Sequence, residues 1–192
     1  MNKTAITAAQ IMPVLADRWS PRSFDTDYEL TSHEILSVLE AARWAPSANN
    51  GQPWRFSVLT RGTDLFNQVA AEGLSGFNQA WAPRASALIV VSIQTKHADG
   101  RENTGALYDA GLSVANLVTQ AQELRLHTHQ MSGIVPAALS AALELHEDLR
   151  PIVVVAVGKL APADKLEGPA YEREIQPRTR LELHEIVLHG KP

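Results

Sequence analysis

The chain has 192 residues, 17 of them basic and 21 acidic, giving a net charge of −4, so it carries no general field to attract nucleic acid or an anionic membrane. A chain this long hides roughly 70% of the surface that its unfolded form exposes. A content of 45% hydrophobic and 20% charged residues excludes a disordered or collagen-like chain, leaving one globular domain over residues 1–192 as the expectation. There is no cysteine, which rules out disulfides, thiolate nucleophiles, iron–sulfur clusters and cysteine-based zinc sites, so redox chemistry would need a borrowed cofactor.

The stretch Met1–Ile11 lacks a basic segment followed by an apolar run and a cleavage site. No stretch reaches the ~18 apolar residues of a membrane span, and a cytoplasmic location is expected. Next comes Arg18-Trp19-Ser20-Pro21-Arg22-Ser23-Phe24, with two guanidinium groups and two hydroxyls in close succession. Arginine is a forked, permanently charged donor and serine adds a neutral bond, so the group suits a phosphate; read alone, however, it is better explained as an ordinary surface loop.

Leu30-Thr31-Ser32-His33-Glu34-Ile35 reads as a helix start, with Thr31 as cap, Glu34 closing a capping box, and Leu30 with Ile35 as a hydrophobic staple. The helix should run from Ser32 to about Trp44, where Pro46 disfavours helical geometry at Ala45. The following Pro46-Ser47-Ala48-Asn49-Asn50-Gly51-Gln52-Pro53-Trp54 is a loop rich in amides and hydroxyls and free of carboxylates and histidines. Such a loop can address the edge of a planar heterocycle, with the small Ala48 against its face, but it cannot form a hydrolytic triad. Arg55–Thr60 has strand character with Phe56 and Val58 on one face, and Asp64–Glu72 reads as a short helix; Gly73–Trp81 has no clear period.

Ala85–Ile93 and Pro151–Val157 hold the continuous apolar runs of strands covered on both faces, and should be the two central strands. Between them Thr104–Leu126 is the longest periodic segment. It carries Leu107, Gly111, Val114, Val118 and Ala121 on one stripe, and its spacing predicts a helix buried on most sides. Its many small residues fit dense packing within the chain or close approach of a second copy. Pro136–Leu145 is a further helix with proline in its first turn. His127 and His129 lack a third ligand nearby, so no metal is expected; His33, His146, His184 and His189 follow no ligand pattern. Arg178-Thr179-Arg180 forms a second basic pair that could fold against the first. Interleaved strands and helices give an α+β or α/β sandwich.

The order Arg-x-Ser-x-Arg, then Ala-Pro-Ser-Ala-Asn-Asn-Gly-Gln-Pro-Trp, resembles the nitroreductase family of FMN-dependent oxidoreductases. The likeness continues through Phe77-Asn78, Tyr108-Asp109-Ala110-Gly111, Met131-Ser132-Gly133-Ile134 and Pro177-Arg178-Thr179-Arg180-Leu181, nearly the whole chain. It implies an α+β three-layer sandwich, with a central, mainly antiparallel sheet wrapped by helices, built as an intertwined homodimer with two FMN sites at the interface. Arg18, Trp19, Ser20, Arg22 and Arg180 then correspond to phosphate- and ribityl-binding positions, and Arg178 stands where lysine is frequent. Pro46, Ser47, Ala48 and Asn50 match a loop that lies on the flavin of the other subunit. Asn78 matches a residue on the pyrimidine side. Ser132 and Gly133 match a loop whose backbone nears flavin N5, where a side chain at Gly133 would crowd the ring.

One departure is Trp81, which stands where lysine is common near flavin N1 and O2; Arg84 is a substitute for that cation. Asp109 caps or pairs within the long helix and has no catalytic role. The implied reaction is ping-pong: NADH or NADPH gives hydride to flavin N5, and a small acceptor such as a nitroaromatic or quinone takes it away. The flavin carries the chemistry, so no catalytic side chain and no metal is assigned. The absence of a GxGxxG fingerprint agrees with a nicotinamide that visits without a Rossmann site. Another flavin reaction on the same fold, such as enone or aldehyde reduction or substrate oxidation, and a non-enzymatic flavin-binding sensor are the competing readings.

Overall fold

In the computed structural model, which describes residues 3–190, seven α-helices and several short turns surround a four-stranded sheet. The first two residues of the Met1–Ile11 stretch lie outside the described residues. The helices are α1 (Pro13–Asp17), α2 (Ser32–Arg43), α3 (Asp64–Gln68), α4 (Ala106–Glu123), α5 (Pro136–Ala142), α6 (Gly168–Ile175) and α7 (Leu183–Ile186). The strands are β1 (Trp54–Thr60), β2 (Ala87–Gln94), β3 (His127–Met131) and β4 (Leu149–Gly158), in the order β1-β2-β4-β3 with every pair antiparallel. The two apolar runs therefore lie side by side in the centre, as their continuous hydrophobicity requires.

Strand side chains alternate between faces, so each central strand feeds two cores. Leu88, Val90, Val154 and Ala156 point to one side, where Phe66, Leu74, Trp81 and Leu139 cover them. Ile89, Val91, Val155 and Val157 point to the other, against Val38 and Ala42 of α2 and Val114 and Leu117 of α4; Phe56 and Val58 join that side together. The result is a helical layer on one face and a layer of short helices and turns on the other. No helix among the described residues is long and apolar enough to cross a membrane.

The start of α2 follows its local chemistry: Thr31 Oγ1 accepts from Glu34 N–H at 3.2 Å, and the Glu34 carboxylate accepts from Thr31 N–H at 2.9 Å. Two expectations need correction. The segment predicted as one short helix, Asp64–Glu72, is α-helical to Gln68 and then widens into a π turn over Val69–Gly73. The long helix is not buried on most sides. Val114, Val118 and Ala121 of the predicted stripe are buried, but Leu107 is 54% exposed, Tyr108 is 74% exposed, and Gly111 and Ala115 also face outward. The first half of α4 thus presents an apolar strip to the outside of the chain.

Candidate functional site

The Arg18–Phe24 loop is held from a distance. Glu174 of α6 is 2% exposed, and its carboxylate accepts from the backbone N–H groups of Arg22 at 2.7 Å and Ser23 at 3.2 Å. A buried carboxylate satisfied by two amides is a firm anchor, and it fixes the loop against α6 and the tail that follows. The Ser23 hydroxyl donates to Pro162 O at 2.7 Å, and Asp25 N–H donates to Lys159 O at 3.0 Å.

This anchoring forms a cavity of about 220 Å³ lined by Arg18, Trp19, Ser20, Arg22, Arg178 and Arg180, the two basic segments that the sequence left far apart. Lys3, Arg173, Gln176 and Pro177 complete the lining. Among the described residues none of the six cations of the lining forms an ion pair. Their described hydrogen bonds go to neutral groups: Arg18 Nη1 donates to Ser20 Oγ at 3.3 Å, Arg178 Nη1 to the carbonyls of Ala16 and Lys3, Arg180 Nη1 to Thr179 O and Lys3 Nζ to Gln176 O. Burial lowers the pKa of Arg18, and the charges of Arg178 and Arg180 lower it further. Arg178 is lowered by burial and then by Arg180. Arg22 is lowered by burial and by Arg173, against the opposing pull of Glu174. Gathered cations that repel one another and form no ion pair among the described residues suit an anion of more than one charge.

Beyond the arginines lies an aromatic stack. Trp81 is 0% exposed, with its ring centroid 6.3 Å from Phe24 and 4.3 Å from His129, and Arg22 Cζ lies 6.0 Å above it. The expectation that Trp81 takes a lysine's place beside a ligand changes character here, because its indole is sealed in the core and supports Arg22 from below. Indole Nε1 and Arg22 Nε are both buried without a hydrogen-bond partner. His129 Nδ1 sits 2.9 Å from Pro21 O, tying β3 to the arginine loop, and burial holds the imidazole pKa down to about 4. Arg84 does not line the cavity. Its carbonyl accepts from Arg61 Nη1 at 3.0 Å, which places it in the turn leading into β2.

Asn78 and Gly133 are in direct contact. Asn78 Nδ2 donates to Gly133 O at 3.0 Å, and Ser75 N–H donates to the same carbonyl at 3.0 Å. A contact within the chain itself already favours glycine here. A Cβ at Gly133 would meet Asn78 Nδ2 at 2.7 Å, so the side chain is excluded first by Asn78. Ser132 is exposed beside it. Arg173 Cζ lies 4.6 Å over the Phe77 ring, linking the cavity to the turn that carries Asn78.

Pro46, Ser47, Ala48 and Asn50 lie elsewhere. Their loop is mostly exposed and follows α2, and Ala48 N–H donates to Asp109 Oδ2 of α4 at 3.1 Å. It does not line the arginine cavity of its own chain. Asp109 therefore pairs outside its helix, not within it as the sequence suggested. Sequence reading missed Lys3, Arg173 and Glu174, whose roles depend on contacts across most of the chain.

The nitroreductase family model matches residues 15–159. A crystal structure of an oxidoreductase containing FMN superposes with a TM-score of 0.90 at 31% identity, covering 97% of this chain and 95% of that one. The oxygen-insensitive NADPH nitroreductase of Helicobacter acinonychis is 44% identical over 78 residues, 41% of this chain and 36% of the relative. The oxygen-insensitive NAD(P)H nitroreductase of Enterobacter cloacae is 27% identical over 115 residues, 49% of this chain and 50% of the relative. The chain thus spans about a third to a half of the length of these two curated relatives.

Proposed function

The chain belongs to the nitroreductase family, and we propose that it is an oxidoreductase that holds FMN in the arginine cavity and carries electrons from NADH or NADPH to a small oxidised acceptor. The observation that carries this reading is the cavity itself: six cations that form no ion pair among the described residues, one of them, Arg173, lying over the Phe77 ring beside Asn78. A terminal phosphate dianion is the ligand group whose charge and acceptor oxygens answer that arrangement. The likeness to an oxidoreductase containing FMN supports the choice of cofactor.

FMN held there would supply the redox chemistry, the capacity to take a hydride from NADH or NADPH and to reduce an acceptor such as a nitroaromatic or quinone. The protein's part is to bind and orient. Arg18, Arg178 and Arg180 would hold the phosphate, and Ser20 would serve the ribityl chain. Arg22, whose Nε is buried and unpartnered and whose guanidinium lies over Trp81, would be the cation toward the ring. Asn78, Ser132 and Gly133 would line the ring.

The Pro46–Asn50 loop would complete the site of a second copy, because in its own chain it is fastened to α4. A homodimer also covers the exposed Leu107 and Tyr108 of α4 and the exposed Leu181, Leu183, Ile186 and Leu188 of the tail. The deciding experiment is the visible spectrum of the purified protein before and after anaerobic NADH or NADPH. A yellow protein that bleaches and regains colour with a nitroaromatic or quinone is expected. A protein that takes up no FMN refutes the cofactor reading, and one that takes up FMN but is not bleached by either nicotinamide refutes the enzymatic one.

A further inference from the structure

Four polar side chains of α4 share one face of the helix at spacings of four, three and four residues. Each reaches across to α2 or to the loop that follows it. Gln120 Nε2 donates to Ser37 Oγ at 3.1 Å, Asn116 Nδ2 to Ala41 O at 3.2 Å, and Ser113 Oγ to Ala42 O at 2.8 Å. The last rung is Asp109, whose Oδ2 accepts from Ala48 N–H at 3.1 Å. The first three rungs fasten a helix that its own capping box and core face already define. The fourth fastens a loop that has neither.

That loop stores strain. Asn49, Asn50 and Gln52 have φ of 50°, 56° and 45°, three non-glycine residues in the left-handed region within four positions. Such residues persist where surrounding bonds over-determine them. Inside the loop, Asn50 N–H donates to Ser47 O at 3.1 Å, Gly51 N–H to Ala48 O at 2.9 Å and Gln52 N–H to Ser47 Oγ at 3.1 Å. These bonds give the loop its shape but do not say where it sits. The Asp109 bond does. Asp109 is 5% exposed, in the first turn of α4, where the helix dipole favours a carboxylate. On another side of the same turn Leu107 and Tyr108 face outward.

We propose that Asp109 is the positioning residue of the Pro46–Asn50 loop, setting the loop's height and angle from the same turn of α4 that presents Leu107 and Tyr108 to a second copy. The inference rests on the reading that this loop completes the FMN site of that copy. One helix then serves both tasks: docking of α4 fixes where the loop meets the neighbouring cofactor, and Asp109 transmits the placement.

The test compares Asp109→Ala and Asp109→Asn with the unaltered full-length protein. Hydrogen exchange at the Ala48 amide is read without cofactor, and FMN affinity and the visible circular dichroism of bound FMN are read with it. Asp109→Ala should exchange faster at Ala48, bind FMN about tenfold or more weakly and show a changed dichroism band. Asp109→Asn keeps an acceptor oxygen and should stay within about threefold of the unaltered protein. An Asp109→Ala protein with unchanged FMN affinity and dichroism overturns the proposal. If that variant does not fold, a folded Asp109→Asn with a tenfold loss overturns it, and one with near-normal affinity supports it. Should the unaltered protein take up no FMN, the reading of the site fails with the inference, while exchange at Ala48 still decides whether Asp109 holds the loop.

Discussion

Replacing Arg18 with alanine tests the phosphate reading at its centre, because Arg18 is the partly buried cation that both Arg178 and Arg180 face. Loss of one charge-assisted bond to a phosphate costs about 1.5 to 3 kcal/mol. That weakens FMN binding by about 10- to 150-fold. With FMN at about one hundred times the original Kd, cofactor binding adds about 2.7 kcal/mol to stability; in the variant at the same concentration it adds about 0.3 to 1.4 kcal/mol. At about 2 to 4 °C per kcal/mol for a chain of this size, the FMN-induced rise in Tm falls from about 5 to 11 °C to about 1 to 6 °C. Riboflavin lacks the phosphate, so its affinity should barely change. Without cofactor the variant should melt no lower than the parent, since it has lost one of several cations that repel one another. Fluorescence titration with FMN and riboflavin, and thermal melts with and without FMN, check all three. Equal weakening of FMN and riboflavin, or equal affinity for the two in the parent, would refute the placement of the phosphate.

Glu174→Gln leaves one acceptor oxygen for two backbone amides, so one of Arg22 N–H and Ser23 N–H loses its partner; a loss of about 1 to 3 kcal/mol in denaturant unfolding is expected, with weaker FMN binding beside it. Gly133→Val should displace Asn78 and break its 3.0 Å bond to Gly133 O, lowering FMN content on purification, whereas Ser132→Ala should keep it; normal cofactor content and reduction rate in Gly133→Val would place the loop away from the ring. His129 is held neutral, with burial taking its pKa from 6.5 to about 4, so the unfolded chain binds the extra proton first and stability falls as pH drops from about 6.5 toward 4. A His129→Gln protein should show a shallower loss in melts across that range, and an unchanged slope would remove His129 as its source.

What could be read from the sequence depended on how locally each feature is determined. The start of α2 was legible because Thr31 and Glu34 satisfy each other three residues apart, and the central strands because Leu88–Val91 and Ile152–Val155 are apolar throughout. β3 was not. Its sequence, His-Thr-His-Gln-Met, has no apolar run, and it is a strand because β4 offers a ladder along one edge. Which face of α4 stays exposed was left open between packing in the chain and a second copy, because periodicity marks apolar faces without saying which of them the same chain covers. In the site, the two arginine segments could be paired by resemblance, whereas Glu174 holds Arg22 from 152 positions away, a separation over which spacing carries no signal. Trp81 was legible as a departure, but its burial under Arg22 depends on Phe24 and His129 arriving from two other elements.

The strand order has a consequence for how the molecule is made. β4 is the last strand to leave the ribosome, yet it lies between β2 and β3 and lends an edge to both. Until it emerges, the largely apolar β2 has a partner on one side only, and β3 has no neighbour in the sheet. A nascent chain stalled before Leu149 would thus carry a sticky open edge, the kind of intermediate that engages chaperones or aggregates. The arginine loop waits longer still, because its anchor at Glu174 and the partners at Arg178 and Arg180 come after the sheet has closed. A cofactor bound in the arginine cavity would therefore load late in biosynthesis, out of reach of any chain that has not yet been translated through α6 and its tail.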